Sequence, residues 1–280
     1  MREHRFAIDS GLELYGREHG AKEGPTIVAL HGLTRNSEDF DSFAAYLPDG
    51  WRMLALDFRG RGQSDYDPDW QHYVPAVYAR DVREVLQQAG IDRAVFLGTS
   101  LGGLVTMLLA SETPDLVAGA MLNDIGCEID PAGLTRIQQY TGKLPPVANW
   151  DDARNQVKLV YGETLPGLGD ADFEILARRS FAEDAEGIPV LRFDPNIGRA
   201  IRELDMELGD LWARLDDMRD VPMLLLRGQN SDILSREVAM RMQSQHPRLT
   251  LVEVIDRGHV PLLDESDSVA AIHAFLEPLA

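Results

Sequence analysis

Short apolar segments alternate with longer stretches of helical periodicity along this chain, and the alternation limits the folds open to it. The segments are TIVAL (26–30), RMLAL (52–56), AVFLG (94–98), VAGAML (117–122), PMLLLR (222–227) and LTLVEVI (249–255). Most of them lack the apolar–polar alternation of a half-exposed strand, so we expect burial on both faces. The pattern predicts an α/β fold with a mostly parallel central sheet and helices on both of its faces.

Two further stretches have a clear local pattern. Residues 4–20 read as a two-stranded hairpin that turns at Ser10-Gly11, which would pair antiparallel at one edge of the sheet. Residues 73–90 place their apolar side chains on one helical stripe and end at Gly90. The second pattern predicts a helix that crosses between parallel strands.

A long interruption of this rhythm predicts the domain organisation. Almost a hundred residues separate the strand that ends near Asp124 from the strand at Met223, and they contain helix-like pieces: TRIQQYTG, WDDARNQVKLVYG, DADFEILARRSFA and NIGRAIRELD. We therefore predict a core domain made of residues 1–125 and 220–280. Residues 126–219 are predicted to be an inserted helical cap. Some of its apolar side chains are expected to line a ligand pocket, and the candidates are Trp150, Val157, Val160, Tyr161, Phe173, Ile175, Leu176 and Phe181.

The amino-acid composition limits the binding partners, cofactors and cellular location that we expect for this chain. The chain carries 46 acidic and 27 basic residues, a formal charge of −19, which argues against nucleic acids and anionic membranes as partners. The single cysteine, Cys127, can form no internal disulfide and has no companions for a metal cluster. The chain start lacks a signal-peptide core, and no apolar run is long enough to span a bilayer. We expect a cytoplasmic protein with neither cofactor nor metal.

The segment AVFLGTSLGG, residues 94–103, places a serine at a strand-to-helix corner. The apolar strand leads into GTSLGG, and from Leu101 onward the apolar residues recur on one helical face. The pattern Gly98-x-Ser100-x-Gly102 in this context is typical of a nucleophile elbow, where neighbouring backbone approaches too closely for side chains at the two glycines. Ser100 is the predicted nucleophile.

A serine nucleophile needs a general base and a carboxylate that orients it. His259 follows the last strand, and Asp232 follows the strand at 222–227, so both lie beyond the carboxyl ends of strands, where parallel sheets build their sites. We predict a Ser100, Asp232, His259 triad. Asp124 also follows a strand end and is the competing candidate for the acid.

An oxyanion intermediate requires preorganised backbone donors. One predicted donor is the amide of Leu101, the residue after the nucleophile. The other is the amide of Leu33 in the segment LHGLTRN (30–36), where His31-Gly32 permits a tight turn. We expect His31 to shape this turn without titrating in the reaction.

These motifs together resemble the α/β-hydrolase family, and specifically its cap-bearing members with a serine nucleophile. The resemblance covers almost the whole chain through LHG (30–32), DFRGRGQSD (57–65), GTSLGG (98–103), NSD (230–232) and GHVPLLDE (258–265). It implies the α/β-hydrolase fold, with Asp57 and Arg59 supporting the oxyanion loop. The related haloalkane dehalogenases and capped epoxide hydrolases carry Asp at the elbow, so Ser100 favours acyl transfer over alkyl transfer.

The predicted function is hydrolysis of a small or medium carboxylic ester or lactone through an acyl-enzyme at Ser100. A carbon–carbon bond hydrolase of ring-cleavage products is an alternative, although such enzymes usually have an aromatic residue after the histidine, where this chain has Val260. A non-catalytic ligand-binding protein of the same fold is a second alternative.

Overall fold

The computed structural model describes residues 1–204, 206 and 208–280. Within this part of the chain the strands are β1 (Arg2–Ala7), β2 (Glu13–Gly20), β3 (Thr26–Leu30), β4 (Arg52–Leu56), β5 (Ala94–Thr99), β6 (Val117–Asn123), β7 (Phe181–Glu183), β8 (Pro189–Leu191), β9 (Met223–Gly228) and β10 (Leu249–Val254). The α-helices are α1 (Asp41–Ala44), α2 (Pro75–Gln88), α3 (Leu101–Glu112), α4 (Pro131–Tyr140), α5 (Trp150–Tyr161), α6 (Asp170–Ser180), α7 (Asn196–Glu203), α8 (Leu211–Asp217), α9 (Arg236–Gln245) and α10 (Ser266–Leu276).

The central sheet has eight strands in the order β1-β2-β4-β3-β5-β6-β9-β10. β1 and β2 form the predicted antiparallel hairpin at one edge, and β2 also pairs antiparallel with β4. Every other pairing in this sheet is parallel. The prediction of a mostly parallel sheet with an edge hairpin is confirmed.

Helices cover both faces of the sheet, which explains the apolar strands. All residues of β3, β5 and β9 are buried. On one face the core includes residues of α2, α3 and α8, and on the other it includes Phe40, Phe43 and residues of α10. A strand that is covered by helices on both sides has no solvent-exposed face, so its sequence lacks the alternation of apolar and polar residues.

Residues 126–219, which lie between β6 and β9, contain α4 to α8 and have a small apolar core of their own. We call this segment the insertion. It also contains a two-stranded hairpin of β7 and β8, where a purely helical segment was expected. The predicted helix DADFEILARRSFA therefore ends at Ser180 and not at Ala182. Strands of three residues are too short to show an alternation. The predicted piece NIGRAIRELD forms α7, and its last residue, Asp205, lies outside the described residues.

Candidate active site

Ser100 lies in the sharp turn between β5 and α3, with backbone angles of φ 50° and ψ −114°. The glycines on either side make this turn possible. A Cβ on Gly98 would lie 2.4 Å from the Gly102 carbonyl oxygen, and one on Gly102 would lie 2.0 Å from the Leu30 carbonyl oxygen. The expected steric need for glycine at both positions is confirmed, and the turn raises the Ser100 side chain at the carboxyl end of the sheet.

His259 connects this serine to a carboxylate. It belongs to the loop after β10, is 9% exposed, and its Nε2 atom lies 2.9 Å from Ser100 Oγ. Its Nδ1 atom lies 2.8 Å from Oδ2 of Asp124. A carboxylate only accepts hydrogen bonds, so Nδ1–H donates to Asp124 and Nε2 is left to accept the Ser100 hydroxyl proton. This is the arrangement that a serine nucleophile requires.

Asp124 is fully buried at the carboxyl end of β6 and has a left-handed φ of 57°. Its Oδ1 atom accepts the Gly228 amide at 2.8 Å, and its Oδ2 atom also accepts the Ser231 hydroxyl at 2.6 Å. A left-handed conformation is less costly for Asp than for most residues with a side chain. The backbone turn and these donors together aim the carboxylate at His259.

The prediction that Asp232 contacts His259 is wrong for this structure. Asp232 instead forms a two-point ion pair with Arg136 of α4, with distances of 2.6 Å to Nε and 3.0 Å to Nη2. Burial alone would raise the pKa of Asp232, but the hydrogen bonds and charge of Arg136 outweigh burial and lower it. Asp232 therefore connects the core to the insertion, and the competing candidate Asp124 holds the position on the histidine.

The two predicted oxyanion donors flank the serine. Leu101 is the first residue of α3, and a Cβ on Gly32 would lie 3.8 Å from the Ser100 Cβ, which places the Leu33 loop beside the nucleophile. Neither the Leu33 amide nor the Leu101 amide donates a hydrogen bond to any residue that the structure describes. Both are thus free to donate to a substrate oxygen.

Arg61, which the sequence interpretation did not single out, holds the Leu33 loop. Its guanidinium is fully buried and donates from Nε to the Leu33 carbonyl oxygen at 2.9 Å. It also donates to the Arg59 carbonyl and to the Tyr78 hydroxyl, both at 2.8 Å. The only sequence signal for this role is its place in DFRGRGQSD.

The other residues of this region have structural contacts, as expected. His31 is fully buried and accepts the Phe58 amide at Nε2, 3.0 Å away, while Nδ1 lies 2.7 Å from the Gly32 carbonyl oxygen. Burial lowers the pKa of His31 to about 3, so this imidazole is neutral. Asp57 accepts two backbone amides, and Arg59 is paired with Asp67 and Asp81.

Asn123 ties together the loops that carry the serine and the histidine. Its Nδ2 atom donates to Thr99 Oγ1 at 3.2 Å and to the Pro261 carbonyl at 3.0 Å. Thr99 precedes Ser100, and Pro261 follows His259 by two residues. A buried amide at the end of β6 therefore fixes the spacing between the two neighbouring loops.

A pocket lies over Ser100 and His259, and its volume is about 810 Å³ when the adjoining open solvent is included. Its walls come from the Leu33 loop, the His259 loop and the insertion, which contributes Ile137, Tyr140, Tyr161, Leu165, Leu176 and Arg179. Of the insertion residues expected to line a pocket, Tyr161 and Leu176 do so here, whereas Ile175 is 52% exposed. The lining is mostly apolar, as in most small-molecule sites.

The mixed sheet and the hydrogen-bonded chain from Ser100 through His259 to Asp124 together define the class of α/β hydrolases. A family model described as the alpha/beta hydrolase fold matches residues 25–266, and the chain belongs to this family.

Several known proteins resemble the chain over nearly its full length. The crystal structure of an alpha/beta hydrolase from Novosphingobium aromaticivorans superposes with a TM-score of 0.92 at 37% identity, covering 99% of this chain and 98% of that one. A serine hydrolase-like protein of Danio rerio is 34% identical, over 99% of this chain and 88% of its own. The 3-hydroxybutyrate-oligomer hydrolase of Cupriavidus necator is 28% identical, over 92% of this chain and 90% of its own.

No described helix of this protein is both long enough and apolar enough to cross a membrane.

Proposed function

We propose that the protein is a serine hydrolase that cleaves a small or medium carboxylic ester or lactone through an acyl-enzyme at Ser100. The observation that carries this proposal is the continuous chain of hydrogen bonds from Ser100 Oγ through His259 to Asp124, at 2.9 and 2.8 Å. The name of the Cupriavidus necator relative, an oligomer hydrolase, supports ester chemistry.

The geometry supports a two-step reaction. His259 Nε2 takes the hydroxyl proton as Ser100 Oγ attacks the substrate carbonyl, and Asp124 stabilises the imidazolium that forms. The amides of Leu33 and Leu101 stabilise the oxyanion, each such donor being worth about 3 to 4 kcal/mol in known enzymes. His259 then protonates the departing alcohol, and the same residue activates water to release the acid.

The insertion supplies one wall of the pocket, so we also infer that residues 126–219 act as a cap. The substrate would be a small molecule enclosed between this cap and the carboxyl end of the sheet. Arg61, through Leu33, and Asn123, through Thr99 and Pro261, act in this proposal as positioning residues.

Intact-mass measurement after treatment with a fluorophosphonate tests the mechanism. Wild-type protein should gain the mass of one adduct, and Ser100→Ala should gain none. Ser244→Ala is a matched control, since Ser244 is an exposed serine of α9, and it should label as wild type does. If the wild-type protein is not labelled, a non-catalytic binding protein is favoured. Activity assays on a panel of esters, lactones and ring-cleavage products distinguish ester hydrolysis from carbon–carbon bond hydrolysis.

A further inference from the structure

The hairpin of β7 and β8 brings together two parts of the insertion. Ser180 ends α6 directly before the hairpin, and Arg192 follows β8 directly after it. The Arg192 amide donates to the Ser180 carbonyl oxygen at 2.9 Å, which closes the hairpin at its open end. Residues 179–180 and 192–194 therefore form one bonded unit, and we call them the hairpin base.

The hairpin base binds the Leu33 loop, which comprises residues 31–36. Arg35 Nη1 donates to Ser180 Oγ at 2.6 Å, and Asn36 Nδ2 donates to the Arg179 carbonyl oxygen, also at 2.6 Å. Asn36 is 2% exposed and Ser180 is 9% exposed, so water does not readily replace either contact. Two buried side-chain bonds thus join the oxyanion side of the core to the insertion.

The hairpin base also binds the loop that holds Leu33 from the other side. The Gly62 amide donates to the Arg192 carbonyl oxygen at 2.8 Å, and the Asp194 amide donates to the Gly60 carbonyl oxygen at the same distance. Arg61 lies between these two glycines, and its Nε donates to the carbonyl oxygen in the Leu33 loop. The support of the oxyanion donor is therefore itself bonded to the insertion.

The position of the Leu33 amide depends on its neighbours in the chain, because the amide makes no bond to a described residue. Before it, the core holds the buried imidazole of His31, and Arg61 holds the Leu33 carbonyl oxygen. After it, the insertion holds Arg35 and Asn36. A displacement of about 1 Å in such a group can lower a rate by about a hundredfold, so the contacts on both sides matter.

We propose that the insertion takes part in catalysis by holding the Leu33 amide in place, with Ser180 as a positioning residue that acts through Arg35. The inference rests on the proposed ester hydrolysis. A cap that only enclosed the substrate would change the selection among substrates. An insertion that supports an oxyanion donor changes the stabilisation of the transition state for every substrate.

Ser180→Ala tests this inference, because it removes the acceptor of Arg35 and leaves the backbone bonds of the hairpin base in place. For p-nitrophenyl esters from acetate to octanoate, kcat should fall by about tenfold and by the same factor for each ester. KM should change by less than about twofold. The rate at which fluorophosphonate labels Ser100 should fall together with kcat.

Ser111 offers a matched control at the end of α3 that is distant from Ser100. Arg214 Nη1 of α8 donates to Ser111 Oγ at 2.6 Å, so this bond also joins an insertion helix or hairpin to the core through an arginine and a serine. Ser111 does not line the pocket over Ser100. Ser111→Ala should therefore change kcat by less than about twofold.

Three kinetic results would overturn the inference. An unchanged kcat in Ser180→Ala would show that the contact with Arg35 does not position the oxyanion donor. A loss that is absent for the acetate ester and grows with acyl length would show that the insertion only shapes the pocket. A loss of equal size in Ser111→Ala would show that any weakened contact between the insertion and the core has the same effect.

Hydrogen–deuterium exchange separates this inference from the proposed function, because it needs no substrate. In a peptide of residues 31–39, the amides of Arg35 and Asp39 donate to carbonyl oxygens three residues earlier, each at 3.2 Å. Their exchange should be about tenfold faster in Ser180→Ala than in wild type and unchanged in Ser111→Ala. Peptides from β3 and β5 should exchange as in wild type, which shows that the fold is retained.

The exchange result applies whether or not the protein hydrolyses esters. If wild type cleaves no ester and exchange of residues 31–39 is faster in Ser180→Ala, the insertion holds the Leu33 loop and only the proposed function fails. If exchange of this peptide is unchanged in Ser180→Ala, the inference is overturned even when esters are cleaved.

Discussion

Asp124 Oδ2 lies 2.8 Å from His259 Nδ1, although the aspartate ends β6 and the histidine follows β10, 135 residues later. The neighbouring strand β9 separates the two in the sheet. The loop after β9 does not block this contact. Its Ser231 donates a hydrogen bond to Asp124, and its Asp232 is turned toward Arg136.

The first prediction concerns this carboxylate. Asp124→Asn should lower kcat by about three to four orders of magnitude, because an amide favours the wrong imidazole tautomer. Asp232→Asn is the matched substitution on the neighbouring loop and should lower kcat by less than about tenfold, since it touches Arg136 and not His259. Steady-state kinetics on one activated ester give both values. A larger loss in Asp232→Asn would restore the assignment made from the sequence.

The second prediction concerns the oxyanion loop. Arg61→Met removes the donor to the Leu33 carbonyl, so the Leu33 amide should be less well aimed and kcat should fall by about tenfold, with a smaller change in KM. The fluorophosphonate labelling rate should fall in parallel. Arg52→Met is the control, because Arg52 donates to Thr26 at the opposite ends of the strands. Equal losses of kcat in the two variants, or a rise in KM alone, would contradict a positioning role for Arg61.

The third prediction concerns pH and stability. The pKa of His31 is lowered to about 3 in the folded protein, while an unfolded histidine has a value of about 6.5. Between these values the unfolded chain binds the additional proton, so stability falls as pH falls. From pH 6.5 to pH 5 this residue should cost about 2 kcal/mol of unfolding free energy.

Urea denaturation at several pH values measures this effect. His31→Gln should be less stable than wild type at neutral pH but should lose less stability on acidification. Gln71→Ala, at an exposed position without a titratable side chain, is the control and should keep the wild-type slope. Parallel pH dependence of wild type and His31→Gln would show that His31 does not carry the effect.

The fourth prediction concerns the ion pair that joins the insertion to the core. The side chains of Arg136 and Asp232 are 30% and 34% exposed, so solvent screens their attraction. A double-mutant cycle with Arg136→Gln and Asp232→Asn should give a stabilising coupling energy of about 0.2 to 1 kcal/mol in thermal unfolding. The lowered pKa of Asp232 means that this coupling is present above the unfolded value of about 3.9 and is lost as pH falls below it. A coupling of zero at neutral pH would leave the pair without a stabilising role.

Local patterns were enough to predict the sheet, the elbow and the histidine. The inner strands β3, β5 and β9 are buried on both faces, so their apolar composition alone distinguishes them. The elbow requires glycine on both sides of Ser100, since any Cβ would meet backbone atoms, and this requirement leaves a trace in five consecutive residues. The hairpin of β7 and β8 could not be predicted from the sequence, because strands of three residues each are too short to form a recognisable pattern.

The sequence alone does not show which aspartate binds His259, because the choice depends on tertiary contacts and not on a local sequence pattern. β6 and β9 are neighbouring parallel strands, so both deliver an aspartate to the same edge of the sheet, and spacing cannot separate Asp124 from Asp232. The choice follows from a left-handed turn at Asp124 and from Arg136, which lies 96 residues from Asp232 in the chain and binds it. Hydrophobic burial and the steric need for glycine depend on residues that are close together in the sequence, so both can be predicted from the sequence. The contact between Asp124 and His259 exists only once β6 and β10 lie in one sheet. The pair of Arg136 and Asp232 exists only once the insertion has folded onto the core.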